Sequence, residues 1–564
     1  MTQSVRRSGW LLLSLAGALL LGACAGTPQE AEDKRDTGAV AAAHPLASEA
    51  GREVLAEGGN AFDAAVTVSA VLAVVEPFAS GIGGGGFWLL HDSAADDSVM
   101  VDGRETAPGA SDADMYLDED GEVDADLSRE GPLAAAIPGS PAAWVHIAET
   151  YGSLPLERLL EPAIRHAREG FPVGHAYVRG VDFSQDKLRE HGAAEIFMDD
   201  GEVPEEGWIL EQPELARTLE RLAEGGHEAF YDSELTEAMV SAVQEAGGIW
   251  EREDFADYTI AEREPIEVEL DGATLTSASP PSSGGVVLAT TLNILDEWEL
   301  AELSEARRVH LVSEALRRTY RDRGAYLGDP DFVDMPIERL THPHYAAGLR
   351  AGIHPRRATP SDLLPDVVEQ EEGQHTTHFS VVDGDGNRVG ATMSINFWFG
   401  NGMLAGDTGV LLNNEMDDFS SQAGDADGFD LVEGEANAIE PGKRMLSSMT
   451  PTFIEDERGV AVLGSPGGSR IITTVLTGIL EYLDGGDAEA MVERPRFHHQ
   501  YRPDEISYES DALSSETRAA LREKGHELSE RERPSGNMQV VIDWVDDGLE
   551  AASDPRGEGE PDVY

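Results

Sequence analysis

A single cysteine, Cys24, and only four lysines stand in a chain of 564 residues. One cysteine cannot close an internal disulfide, and it offers no thiolate-rich metal site. The lysine shortage is one side of a wider imbalance: 107 acidic residues face 41 basic ones, a formal net charge of −66. A surface of that sign repels phosphate backbones, which excludes nucleic acid as a partner. The acids are spread along the chain rather than gathered in a tail. That reads as a solvated surface suited to high salt, where self-repulsion is screened. Also missing are H-E-x-x-H and G-x-S-x-G, so neither a zinc protease nor an elbow-type serine hydrolase is expected.

What is present begins with "MTQSVRRSGWLLLSLAGALLLGACAG": two arginines, an apolar run and small residues. This is the layout of an export signal, and the run is too short for a membrane-spanning helix. Leu21-Gly22-Ala23-Cys24 matches a bacterial lipoprotein cleavage box. The expectation is a signal peptide over 1–23, a lipid on Cys24, a polar tether over 24–38, and a protein held at the cell envelope by its lipid.

Beyond the tether, "HPLASEAGREVLAEGGNAFDAAVTVSAVLAVVEP" reads as two helices, the first stopped by Gly58-Gly59 and the second capped by Asn60. The second is apolar all round and should be buried. "GFWLLHD" predicts a strand over 86–92, and a helix-rich stretch follows from Pro141 to about Arg323. It is interrupted by the hairpin-like "PIEVELDGATLTSA". From Thr376 onward short alternating strands dominate, and "ITTVLTGILEYL" returns to helix. No repeat and no linker divides the body, so one mixed α and β unit is expected.

Several motifs are weaker than they look. Gly81-Ile-Gly83-Gly-Gly-Gly86 contains G-x-G-x-x-G, but it follows a helix and opens a strand, the reverse of a dinucleotide loop. Tight turning and close backbone packing explain it better. Asp383, Asp385 and Asn387 imitate a calcium loop, yet Arg388 and Ser394 occupy the positions that need Gly and Glu. A hairpin turn is the better reading. It pairs strands 376–383 and 388–396 and sets Thr376 opposite Ser394, with Asn396 just beyond. His498 and His499 are adjacent, so they point to different faces and suit structure better than metal binding. Gly467-Gly468 in "GSPGGSR" could aim two amides at an oxyanion.

Together, "HPLASEAG", "GGNAFDAAV", "SGIGGGGF", "DGRETAP", "PPSSGG", "TTHFSVVD", "LLNNEMDDFS", "LSSMTPT", "GSPGGSRIITTVL" and "RPRFHHQ" stand in the order found in gamma-glutamyltransferases. The resemblance runs over roughly residues 38–564. It implies an α+β fold, the four-layer αββα sandwich of the N-terminal-nucleophile hydrolases. It also implies self-cleavage between His375 and Thr376, giving a large subunit (39–375) and a small subunit (376–564) that stay together. In such enzymes the nucleophile is Thr376. Ser394 would hydrogen-bond it, and Gly467 and Gly468 would hold the oxyanion. By the same carry-over Arg104, Ser447 and Ser448 would bind the α-carboxylate of the γ-glutamyl group. Glu415 and Asp418 would bind its ammonium, and Asn396 would contact the same amino-acid end.

The resemblance implies glutathione and other γ-glutamyl compounds as donors, and water, an amino acid or a peptide as acceptor. It implies neither a metal nor an organic cofactor. Phe429 stands where many bacterial members carry a lid tyrosine. A cephalosporin or glutaryl acylase, a poly-γ-glutamate depolymerase and a non-catalytic peptide-binding lipoprotein are the rival readings.

Overall fold

The computed structural model describes residues 37–118, 123–365, 375–420, 434–533 and 535–564. The expected signal peptide, Cys24, nearly all of the tether and Phe429 lie outside the described residues. Thirteen strands form the two main sheets. The first six are β1 (Gly38–Ala42), β2 (Gly85–Asp92), β3 (Asp97–Gly103), β4 (Ala261–Arg263), β5 (Ile266–Leu270) and β6 (Ala273–Ser277). The rest are β7 (Thr376–Asp383), β8 (Arg388–Ser394), β9 (Thr452–Asp456), β10 (Gly459–Gly464), β11 (Gln539–Trp544), β12 (Gly548–Ser553) and β13 (Glu560–Val563). The first sheet runs β13-β1-β7-β8-β2-β3-β4, and the second β12-β11-β10-β9-β6-β5.

The sheets stack face to face, with helices outside each. On β1, Ala39 and Ala41 join the core between the sheets, while Val40 and Ala42 join the core under the first helix layer. The two-residue period of a strand enforces this split. The first helix layer includes α1 (Pro45–Ala56), α2 (Ala61–Val75), α3 (Ser140–Thr150), α4 (Leu156–Glu169) and α5 (Pro213–Tyr231). The second includes α6 (Gly284–Leu295), α7 (Glu305–Tyr326) and α8 (Arg470–Leu483). This is the αββα sandwich.

Local chemistry explains the elements that position the site. Asn60 caps α2 by accepting from the Asp63 amide, and Asp63 returns a bond to the Asn60 amide. Every residue of α2 is buried, as its mostly apolar sequence requires, and Asp63, Thr67 and Ser69 are buried with side-chain hydrogen-bond partners. The turn after β7 is built by Asp383, whose carboxylate accepts from the amides of Asp385 and Asn387. That turn fixes the register, and Thr376 pairs with Ser394.

Two boundaries differ from the sequence reading. The tether was expected to reach 38, but Gly38 already opens β1. The strand expected to run to Asn396 ends at Ser394, because Asn396 takes a left-handed conformation (φ 74°) that breaks the ladder.

Candidate active site

One end of the sandwich gathers the predicted residues. In the first sheet β7 begins at Thr376, β8 ends at Ser394, β2 begins at Gly85, and β3 ends one residue before Arg104. Ser394 pairs with both Thr376 and Gly85. In the second sheet β9 begins just after Ser447 and Ser448, and β10 ends just before Gly467 and Gly468. His378, two residues into β7, joins the sheets: a Cβ on Gly464 would lie 2.3 Å from its ring. Burial drives His378 down to about 3, so the ring is neutral, held by the hydroxyls of Thr392 and Ser380.

The glycine run admits this convergence. A Cβ on Gly83 would come within 2.1 Å of the Leu411 carbonyl, and one on Gly84 within 2.1 Å of the Ser394 carbonyl. Close backbone approach, not cofactor binding, is therefore the use of these glycines.

Around Thr376 the hydrogen-bonding groups are hydroxyls and amides. The Ser394 hydroxyl donates to the carbonyl of His375 at 3.4 Å and accepts from the Asn396 amide at 2.7 Å. The His375 amide donates to the Asn396 carbonyl at 3.3 Å. Its imidazole lies on Trp398 with ring centroids 3.8 Å apart, and burial, with Arg179 and Lys187 nearby, holds it neutral. Asn396 donates through its side chain to the Asn414 carbonyl. On the other face of β7 the Thr377 hydroxyl donates to Glu76 at 2.6 Å, and burial pushes that carboxyl up to about 7. Gly467 (φ 137°) and Gly468 (φ 58°) form a turn whose own amides donate to no protein group among the described residues.

The neighbouring pocket is ionic. Arg104, about 1% exposed, donates to Glu415 at 2.6 Å and to Asp418 at 2.5 Å, and reaches Glu105 at 3.5 Å. The guanidinium also donates to the carbonyls of Met445 and Leu446, next to Ser447, both at 3.4 Å. Burial alone would lower the guanidinium, but the three carboxylates outweigh it and raise it. Burial, with Glu415 adding repulsion, holds the Glu105 and Asp418 carboxyls well above the usual carboxylate range. One oxygen each of Glu105, Glu415 and Asp418 is buried with no hydrogen-bond partner among the described residues. Three spare acceptors around one engaged guanidinium suit a ligand that brings N–H donors and a positive charge, and an ammonium carries three N–H groups.

Asn413 and Asn414 hold the acidic loop in place. Asn413 donates to the carbonyls of Gly83 and Ala136, and Asn414 accepts from the Phe397 amide. The serine pair is pinned from "PPSSGG": the Ser447 amide donates to the Pro281 carbonyl, and Ser283 donates to the Ser447 carbonyl.

Set against known proteins, residues 47–564 match the family model described as gamma-glutamyltranspeptidase. The chain belongs to the gamma-glutamyltranspeptidase family. It is 42% identical over 516 residues to a glutathione hydrolase proenzyme of Pseudomonas sp. (strain A14), covering 90% of this chain and 89% of that one. A glutathione hydrolase proenzyme of Escherichia coli (strain K12) is 40% identical over 526 residues, covering 92% and 90%. Among solved structures, a cephalosporin acylase from Bacillus halodurans superposes with a TM-score of 0.82 at 26% identity, covering 94% of this chain and 96% of that one. Family and fold thus agree with the expectations drawn from the motifs.

Two residues of this family member's pocket escaped the sequence reading. Glu105 stands beside Arg104 in "DGRETAP" and had no assigned task. Arg323, on α7, donates to Ser448 at 3.2 Å and to Ser283 at 2.9 Å. Position in the motif offered a signal for Glu105. Arg323 shares a helix with several other arginines, and nothing in sequence distinguishes it.

Proposed function

We infer that the protein is a γ-glutamyltransferase and glutathione hydrolase that activates itself by cutting before Thr376. The observation that carries this reading is the pairing of two dissimilar neighbours. A threonine opens a strand with the preceding carbonyl held by Ser394, and beside it lies a buried pocket of one guanidinium and three carboxylates.

In the first reaction the Thr376 Oγ attacks the His375 carbonyl carbon, the C–N bond breaks, and the acyl group moves to oxygen. Water then hydrolyses the ester and leaves Thr376 with a free α-amine. An amide nitrogen cannot serve as a base, whereas an α-amine titrates at about 7.7–8.0 and can. In turnover the amine takes the Thr376 hydroxyl proton and Oγ attacks the γ-carbonyl of the donor. The amides of Gly467 and Gly468 stabilise the oxyanion. The leaving amine takes the proton, and water or an acceptor amine resolves the γ-glutamyl ester. Arg104, Ser447 and Ser448 receive the α-carboxylate. Glu415, Asp418 and Asn396 receive the ammonium.

The superposition with a cephalosporin acylase supports a second reading, in which the acyl group lacks an α-amine. The spare acceptors on Glu105, Glu415 and Asp418 favour the γ-glutamyl donor. Parallel assays with γ-glutamyl- and glutaryl-4-nitroanilide decide between them, alongside the intact mass of the purified chain. Two fragments split before Thr376 and turnover of the γ-glutamyl compound are expected. An uncut chain, or turnover of the glutaryl compound alone, refutes the reading. The "LGAC" box further supports export and lipid attachment at Cys24, which the same mass measurement reports. The acid excess supports work in high salt.

A further inference from the structure

The oxyanion turn is made of two successive glycines with positive φ, a sequence that has little stiffness of its own. The turn's own contacts are local: the amides of Arg470 and Ile471 donate to the carbonyls of Gly467 and Gly468. The residue that closes it, Ser469, is gripped from outside at two points. Its hydroxyl donates to Gln500 Oε1 at 2.6 Å, and its carbonyl accepts from the hydroxyl of Tyr320 on α7. The same Gln500 oxygen lies 2.7 Å from His498 Nε2. A carbonyl oxygen only accepts, so Nε2 carries the hydrogen. Burial keeps His498 neutral, and its Nδ1 lies 2.7 Å from the Thr473 hydroxyl. Tyr320 stands edge-on to the His498 ring, with centroids 5.8 Å apart. The histidine pair of "RPRFHHQ" thus has a divided use. His498 faces the turn, while His499 accepts from the Tyr501 amide.

We propose that Gln500, seated by His498, is a positioning residue that holds Ser469 and so fixes the Gly467-Gly468 turn for catalysis. The proposal rests on the functional reading above, in which those two amides stabilise the oxyanion. It separates the two reactions of the protein. Before self-cleavage the carbonyl under attack is that of His375, and its oxygen is served by Ser394 in the other sheet. Loosening the glycine turn should therefore impair turnover and spare self-cleavage.

The test uses the full chain and γ-glutamyl-4-nitroanilide. Gln500→Leu removes the acceptor shared by Ser469 and His498. Its kcat should fall roughly 10- to 100-fold, somewhat less than the cost of deleting an oxyanion donor outright. KM should stay within about twofold, since ground-state binding lies elsewhere. Intact mass should show self-cleavage as complete as in the parent. Gln500→Glu keeps an acceptor for both donors and should recover most of kcat. Ser469→Ala should lower kcat less, and adding it to Gln500→Leu should cost nothing further, as expected of two ends of one contact. Unchanged kcat in Gln500→Leu overturns the proposal. So does a loss shared equally by kcat, KM and self-cleavage, or a failure of Gln500→Glu to restore activity. An inactive parent overturns the functional reading and the clamp with it. An active parent matched by Gln500→Leu overturns the clamp alone.

Discussion

The two halves of the candidate active site are built from different chemistry. Around Thr376 the groups are hydroxyls and amides: Ser394, Asn396, and the glycine turn. A few residues away, Arg104 lies among three carboxylates, all nearly sealed from solvent. The first half can stabilise charge that appears only during reaction, because the groups that hydrogen-bond around Thr376 among the described residues are hydroxyls and amides, which carry no charge of their own. The second is charged at rest and suits a ligand that arrives charged. Such a division assigns kcat to one half and KM to the other.

The largest effect should come from the uncharged half. Thr376→Ala removes the attacking hydroxyl and, with it, the means of making the α-amine. The chain should stay whole on a denaturing gel, and γ-glutamyl-4-nitroanilide should not be turned over. Thr376→Ser should cut slowly and keep some activity. Two fragments and turnover in the alanine variant would break the assignment of the nucleophile.

Next comes the charged half. Arg104→Lys keeps a charge and loses the planar fork. A hydrogen bond to a charged group is worth about 1.5–3 kcal/mol, so KM should rise roughly 10- to 100-fold while self-cleavage by mass is unchanged. A larger effect on kcat than on KM would erase the proposed division.

Glu76 sharpens the contrast, since it is a carboxyl on the uncharged side, behind Thr377. Its folded pKa, about 7, lies above its ordinary value of 4.5. The stability it contributes is therefore fully present below about pH 4.5 and is lost as pH rises through 7. Glu76→Gln keeps an acceptor for Thr377 and removes the titration. It should flatten the fall in Tm between those pH values, by an amount equivalent to at most about 3.5 kcal/mol at about 1.4 kcal/mol per pKa unit. Parallel Tm–pH curves for the two proteins would exclude Glu76 as the source.

The smallest effect expected is that of salt on the pocket. Raising NaCl from 0.05 M to molar levels screens exposed charges but barely reaches buried pairs. Tm should climb while KM shifts less than about twofold. A KM that tracks Tm would mean that the pocket is wet.

Legibility in the sequence followed the range of each cause. The β7–β8 hairpin was readable because its turn chemistry and its alternation lie within twenty residues, and Thr376 did pair with Ser394. The helix α2 was readable because its positions after the Asp63 of the capping box are apolar or small. The strand β1 was not: "GAVAA" has no period to read, and its partners β7 and β13 come from the far end of the chain. Arg104, Glu415 and Asp418 were named only through the family motifs. That all three meet Glu105 in one buried cluster depends on a loop folding back across the sheet end. The Asn396 boundary was missed because alternation cannot foresee a left-handed residue.

The strand order of the first sheet has one more consequence. Divided at residue 375, β1 belongs to the front portion of the polypeptide, yet it lies between β13 and β7 of the back portion, and β8 lies against β2 of the front. The second sheet is likewise shared, with β9 from the back beside β6 from the front. Severing the bond before Thr376 thus frees two ends but no surface along which the pieces could part. They are threaded through one another's hydrogen-bond ladders. Such a pair should show no dissociation on dilution and no exchange of partners between molecules. Neither piece made alone would find the other by docking. A cut there would change the chemistry of the two ends it makes and leave a body that stays a single folded object.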